Sequence, residues 1–270
     1  METGVLRRML KRAKVWTAVA EDVKQLREGQ CNIGKVLPAD LKRKLFETAA
    51  GEPEWMAAYC AAVLAVSTTC RGVEIKNLRW KDIDAFSRIA TIRRSKTAAG
   101  HRTIPLNGDA MAALARLLER AHSTGSSQPA HYVFPACEHV IDPTRPQKSW
   151  RTSWRKLVNE TARRAGREAA RDAFESGQSL RGAISAWKRA AAPLTDLRFH
   201  DLRHQAITEM AEAGASDATL MAVAGHVSRR MSEHYSHVRM AAKRSVLDKL
   251  ESGLMGPLSV ERQVAVGKAN

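Results

Sequence analysis

Phe199-His200-Asp201-Leu202-Arg203-His204 opens a stretch that runs from Leu197 to Val238 and closes on Gly225-His226 and, nine residues later, Tyr235. Imidazoles, a guanidinium and a phenol stand here among apolar residues. If the first six residues enter a helix, His200 and Arg203 are three apart and share a face. Buried polar groups of this kind need partners or a task. His200 and His204 are four apart, the spacing of two zinc-binding histidines on a helix, and His226, His234 and His237 could add ligands. No glutamate follows His200 in H-E-x-x-H fashion, and the cationic Arg203 beside the pair is wrong for a dication site. Two histidines packing in a core is the simpler reading of the pair alone.

Phosphate suits the set better. Guanidinium groups fork the non-bridging oxygens of a phosphodiester. No G-x-x-x-x-G-K loop points to a nucleoside triphosphate, and no acidic cluster is evident for two magnesium ions. A phosphoryl site of this kind needs a protein nucleophile or an activated water. Tyr235, one of three tyrosines, stands among cations that favour phenolate. Taken alone, it reads more simply as an amphipathic residue packing one turn after Met231.

The rest of the chain fits a nucleic-acid partner. Its 270 residues carry 44 Lys and Arg against 28 Asp and Glu, a net charge of +16. Such an excess points to a polyanion, most often nucleic acid; a solvated basic face and a membrane surface are the alternatives. An apolar fraction of 44% argues against wholesale disorder. Cys31, Cys60, Cys70 and Cys137 form no C-x-x-C pair and read as reduced thiols of a cytoplasmic protein. The longest apolar run, Met56 to Val66, is too short to span a membrane, and the basic N-terminus lacks a signal core.

Periodicity predicts helices over Pro38–Ala50, Glu54–Val66 (apolar on nearly every side), Arg71–Leu78, Gly108–Ala121, Lys148–Ala165, Phe199–Ala213 and Ser216–Val223. Asn107 can cap Gly108–Ala121, whose inner face is Met111, Leu114, Leu117 and Leu118, and Ser216 caps the last of these helices. Residues 166–192 are helical in composition, broken near Gly177 and Gly182, and weakly amphipathic through Phe174, Leu180, Ile184 and Trp187. Strands are expected over Trp80–Asp84, Ile89–Arg93, Arg102–Leu106 and His131–Phe134, the second and third joined by a hairpin that carries Lys96. The fold class is mainly α with a small antiparallel β-sheet. Residues 1–35 read as a charged N-terminal segment, 36–250 as the main domain and 251–270 as a tail.

The order of these pieces resembles a family. Thr69-Cys70-Arg71-Gly72-Val73-Glu74, then Lys96-Thr97 in a hairpin, Arg102-Thr103-Ile104-Pro105-Leu106, His200-Asp201-Leu202-Arg203-His204, Gly225-His226 and Tyr235 together resemble the catalytic domain of the tyrosine recombinases, the phage integrases. The resemblance covers about residues 36–250. It implies an enzyme that cleaves and rejoins double-stranded DNA without metal, ATP or other cofactor. Arg71 and Arg203 are expected to clamp the scissile phosphate, and Lys96 to protonate the leaving 5′ oxygen. His200 is expected to assist proton transfer at the tyrosine, His226 to donate to the phosphate, and Tyr235 to form a 3′-phosphotyrosine bond. Glu74 supports Arg71, and His204 is assigned to structure.

The same resemblance implies a homo-tetramer on paired DNA sites, monomeric without DNA, with Met240–Leu250 docking on a neighbouring protomer or folding on its own domain. Three departures stand out. Residues 1–35 are at most the remnant of a DNA-clamp domain and linker. Thr69 replaces a glycine usual in the family, and 166–192 reads as an insertion that touches DNA or a protomer, or is simply a solvated hairpin. A type IB topoisomerase and a non-catalytic DNA-binding relic are the rival readings.

Overall fold

The structure is a computed structural model that describes residues 2–20, 34–93 and 101–225. It divides into two units, Met1–Ile33 and Gly34–Asn270. The first contains α1 (Glu2–Arg12) and α2 (Trp16–Val19), with the Arg7 guanidinium 5.0 Å from the centre of the Trp16 ring.

The second unit is built on one apolar helix. After α3 (Ala39–Ala50), a short 3-10 turn over Pro53–Trp55 leads into α4 (Met56–Thr68). Ala58, Cys60, Ala61, Ala62, Leu64 and Ala65 of α4 are almost fully buried on different sides, so the helix must be surrounded. Its neighbours are α3, α6 and α9. Small residues dominate α4, which lets those helices approach closely. Thr69 ends α4 in the left-handed region, φ 55°. That is the conformation glycine favours, at the position where Thr69 stands instead of glycine.

Next come α5 (Gly72–Lys76) and the three-stranded sheet β1 (Ile83–Asp84), β2 (Ile89–Ile92) and β3 (Arg102–Pro105), antiparallel in that order. Ala90 lies opposite both Ile83 and Ile104, and Ile92 opposite Arg102. The first predicted strand is shorter than expected. Trp80–Asp82 is a 3-10 turn, because the Asp82 carboxylate accepts the Arg79 main-chain N–H at 3.1 Å and curls the chain. Helix α6 (Gly108–Ser123) follows, capped as predicted by Asn107 Oδ1 accepting from the Ala110 N–H at 2.9 Å. Of its expected inner face, Leu114 and Leu117 are buried, whereas Leu118 is exposed.

The predicted strand at His131–Phe134 is displaced. Tyr132 makes only an isolated bridge to Arg79, and the strand is β4 (Pro135–Cys137), paired with β5 (Ile141–Pro146). Pro135 lacks an N–H, yet it begins the strand at an irregular register, where none is required.

Helix α7 (Arg151–Glu175) runs straight on past Ala165, where the predicted helix ends. A Cβ at Gly166 would lie 2.4 Å from Trp187 Nε1, so this glycine is a seat for Trp187 of α8 (Leu180–Ala191). Gly177, φ 82°, does turn the chain, while Gly182 lies inside α8 and donates its N–H to the Ser179 cap. Phe174, Leu180 and Ile184 are exposed, so the weak amphipathicity of this segment describes the α7–α8 hairpin's outer surface. Helices α9 (Asp201–Glu212) and α10 (Asp217–Ala224) complete the described fold, α10 capped as expected by Ser216.

Cys60 and Cys70 are buried free thiols, their pKa values pushed by burial up to about 11; Cys137 is free and exposed. Among the described residues no helix is long and apolar enough to cross a membrane.

Candidate active site

The site begins at the entry to α9. Trp150 packs against Phe134 and Phe199, ring centres 5.5 and 4.9 Å away, and Trp154 meets Phe199 at 5.3 Å. Trp154 also donates its indole N–H to the Leu197 carbonyl at 3.0 Å. These aromatics fix residues 197–199, and with them the direction in which α9 starts. Asp201 accepts from the Arg198 main-chain N–H at 2.8 Å and from its guanidinium at 2.9 Å, closing the turn that leads into the helix.

Arg203 points back from α9 towards the end of α4. Its guanidinium donates to the Thr69 carbonyl and, at 2.8 Å, to that of Ala224. Only 4% of the residue is exposed. The two bonds use two of its five N–H groups. Burial first, then the nearby charge of Arg71, lowers its pKa to about 10.

Arg71 is the N-cap of α5, with Glu74 one turn on. Glu74 reaches back to the Arg71 main-chain N–H at 2.9 Å and accepts from its guanidinium at 3.0 Å. The first of these bonds is the returning half of a capping box, the ion pair replacing the half that a guanidinium cannot accept, and together they explain the three-residue spacing. The Glu74 carboxylate also receives Arg102, at 2.9 Å on one oxygen and 3.3 Å on the other. Burial alone raises the Glu74 pKa, but the hydrogen bond from Arg102, those from Arg71 and the Arg102 charge outweigh it, leaving the carboxyl below its ordinary value.

His200 sits at the exposed rim of this cluster. Partial desolvation, then the charges of Arg203, Arg198 and Arg71, hold its pKa below the ordinary 6.5. It meets the His204 ring edge-on, centres 5.1 Å apart. His204 is buried, with Nδ1 making no hydrogen bond to any described residue. Burial first, then His200, lowers its pKa to about 4. The chain at Gly34–Leu37 lies across this part of α9. A Cβ on Gly34 would fall 2.2 Å from His204 Cδ2, and Gln205 binds both main-chain groups of Leu37, at 2.6 and 3.2 Å.

Thus Arg71, Glu74 and Arg203 come together, with His200 at the rim and His204 beneath it. Lys96, His226 and Tyr235 lie outside the described residues, as do Met240–Leu250 and residues 251–270. Arg102 is the participant that sequence reasoning passed over as mere context. Strand alternation carries the missing signal, because Arg102 shares a face with Ile104, which is fully buried. No comparable pattern marks the Gly34–Leu37 strap, whose contacts join residues far apart in the chain.

Residues 35–242 match the Phage integrase family. The chain is 28% identical over 187 residues to the Shufflon-specific DNA recombinase of Escherichia coli, covering 68% of this chain and 36% of that protein. It is 26% identical over 175 residues to the Integrase of Salmonella phage P22, covering 64% and 37%. The match therefore spans little more than a third of either relative's length. Among solved structures, the Tn1549 transposon Integrase in complex with circular intermediate DNA superposes with a TM-score of 0.60 at 19% identity, over 90% of this chain and 78% of that one. The XerA recombinase gives 0.53 at 18%, over 90% and 74%. Both share the fold described above. On the family match over most of its length, this chain belongs to the phage integrase family, the tyrosine recombinases.

Proposed function

We propose that this chain carries the catalytic domain of a site-specific DNA recombinase, which cleaves and rejoins strands through Tyr235 without metal or ATP. The observation that supports it most is the charge of the buried cluster. Arg71, Arg102 and Arg203 gather about the single carboxylate of Glu74. An excess of guanidinium in a desolvated site favours an anion, and a phosphodiester presents forked oxygens of matching geometry.

In this reading Arg71 and Arg203 bind the scissile phosphate, with Glu74 orienting Arg71. The Tyr235 oxygen attacks phosphorus, and its proton passes towards His200. The bond from phosphorus to the 5′ oxygen breaks, and Lys96 protonates that oxygen. His226 donates to a non-bridging oxygen, and charge on the pentacoordinate phosphorus is met by the arginines. A 5′ hydroxyl from a partner strand reverses these steps and releases Tyr235, so the phosphodiester bond energy is conserved. His200 suits proton transfer, since partial desolvation first, and then the neighbouring cations, disfavour its charged form and leave a ring nitrogen able to accept a proton. His204 holds the helix. The active assembly is four protomers on two duplexes, in the cytoplasm at the nucleoid.

The test is covalent capture. The chain is incubated with a library of nicked duplexes carrying a randomised core, and detergent-stable protein–DNA adducts are isolated and sequenced. Adducts that vanish with Tyr235→Phe are expected. No adducts from the library, with salt-sensitive binding intact, would leave a DNA-binding relic. Relaxation of supercoiled plasmid by a monomer would instead favour a topoisomerase.

A further inference from the structure

The geometry points to Arg102 as a positioning residue that ties the phosphate-binding Arg71 to the exit of α10. The inference rests on the reading that Arg71 binds the scissile phosphate.

Arg102 begins β3, and its side chain is 7% exposed. It spans two elements far apart in sequence. The Nη groups donate to both oxygens of Glu74, the same carboxylate that holds Arg71. Nε donates to the Val223 carbonyl at 2.8 Å, in the last turn of α10. Arg203 takes the next carbonyl, that of Ala224. These are C-terminal carbonyls that no helix N–H can satisfy, and they carry the negative end of the peptide dipoles.

Gly225 then leaves α10 at φ 71°, ψ −147°, conformational territory essentially reserved for glycine. A Cβ there would lie 3.3 Å from Arg102 Nη1 and 3.5 Å from Cζ. The chain thus leaves α10 flush against the Arg102 guanidinium. One buried side chain therefore sets the distance between the Arg71 anchor and the end of α10.

Stability alone gives weak reason for this arrangement. A buried ion pair is commonly matched or bettered by apolar side chains of similar volume. What apolar residues cannot supply is direction: a planar fork that fixes a carboxylate on one side and a carbonyl on the other. Lysine brings the charge without the fork.

The experiment compares wild type, Arg102→Lys, Arg102→Met, Arg71→Ala and the Arg71→Ala/Arg102→Met double variant. Two quantities are read on nicked duplexes recovered from the randomised library: affinity at equilibrium and the rate of adduct formation. Displacing Arg71 by roughly an ångström is expected to slow adduct formation by Arg102→Met about 100-fold. Affinity should stay within about threefold, because phosphate contacts elsewhere supply most of it. Arg102→Lys should recover part of the rate, and it is the variant to read if Arg102→Met fails to fold. In the Arg71→Ala background, Arg102→Met should cost almost nothing further.

Equal losses in both backgrounds would overturn the coupling, as would a rate loss that merely follows the folded fraction. If wild type forms no adduct, the functional reading fails, and the coupling is read from affinity for the unselected library of nicked duplexes instead. Arg102→Met should then weaken binding by up to about threefold, and only where Arg71 is present. Binding that ignores Arg71 altogether overturns both ideas.

Discussion

Neutralising His204 should remove a large part of the acid sensitivity of this fold. His204 is 9% exposed, its Nδ1 has no hydrogen-bond partner among the described residues, and the Gly34 backbone presses against the ring. The groups acting on it are His200, Arg203 and Arg198, which disfavour a proton, and Asp201, which favours one. Burial leads, and the folded-state pKa falls from 6.5 to about 4. Between those limits the unfolded chain binds more protons than the folded one. Stability is therefore complete above about pH 6.5 and declines as pH drops towards 4. At about 1.4 kcal/mol per tenfold in proton affinity, the loss is about 3 kcal/mol. Urea unfolding at pH 7.5 and 4.0, followed by tryptophan fluorescence, reads it, since Trp150 and Trp154 pack on Phe199 just before α9. Wild type should lose about 3 kcal/mol more than His204→Leu across that range. His200 shifts in the same sense and is present in both proteins, so the difference isolates His204. A difference below about 1 kcal/mol would refute the assignment of a buried, neutral His204.

Gly34→Ala places a methyl 2.2 Å from His204 Cδ2 and 2.8 Å from Asp201 Oδ1. It should cost about 1–3 kcal/mol in thermal unfolding, whereas an unchanged melting temperature would mean that the strap lies elsewhere. Gly166→Ala should unseat Trp187 and lower stability by a similar amount, measured by urea unfolding, because both partners are side-by-side in a packed hairpin. For Lys96→Ala, a substrate with a 5′-bridging sulfur should restore much of the lost cleavage, since that group leaves without a proton; no restoration removes Lys96 from the acid's role. Duplex affinity should fall steeply with salt, by a logarithmic slope of about −0.9 for each phosphate neutralised. A flat dependence would argue against DNA as the partner of a chain carrying +16.

Glu74 shows how the site is organised around one desolvated charge. It is the anion shared by Arg71 and Arg102, and it closes the first turn of α5 as well. A single carboxylate thereby fixes the partly exposed Arg71, while a second, buried arginine supports it from behind. Removing the carboxylate would leave guanidiniums facing one another in low dielectric.

Much of this was legible in the chain itself. Helix periods of apolar residues predicted α3, α6, α9 and α10, and cap residues marked the starts of α6 and α10, because both signals are local. The capping-box spacing of Arg71 and Glu74 is local too, and so is the order of motifs that marks the family. Tertiary structure decided what depends on distant neighbours. Gly166 lies inside a helix because Trp187, from the next helix, fills the space above it. Thr69 adopts φ 55° where its carbonyl meets Arg203, 134 residues away in sequence. Gln205 holds Leu37 across 168 residues, and Arg102 joins Glu74 to Val223 across 28 and 121. A side chain's charge and period are written in the sequence. Which distant carbonyl or carboxylate satisfies that charge, once water is excluded, is fixed only when the helices pack.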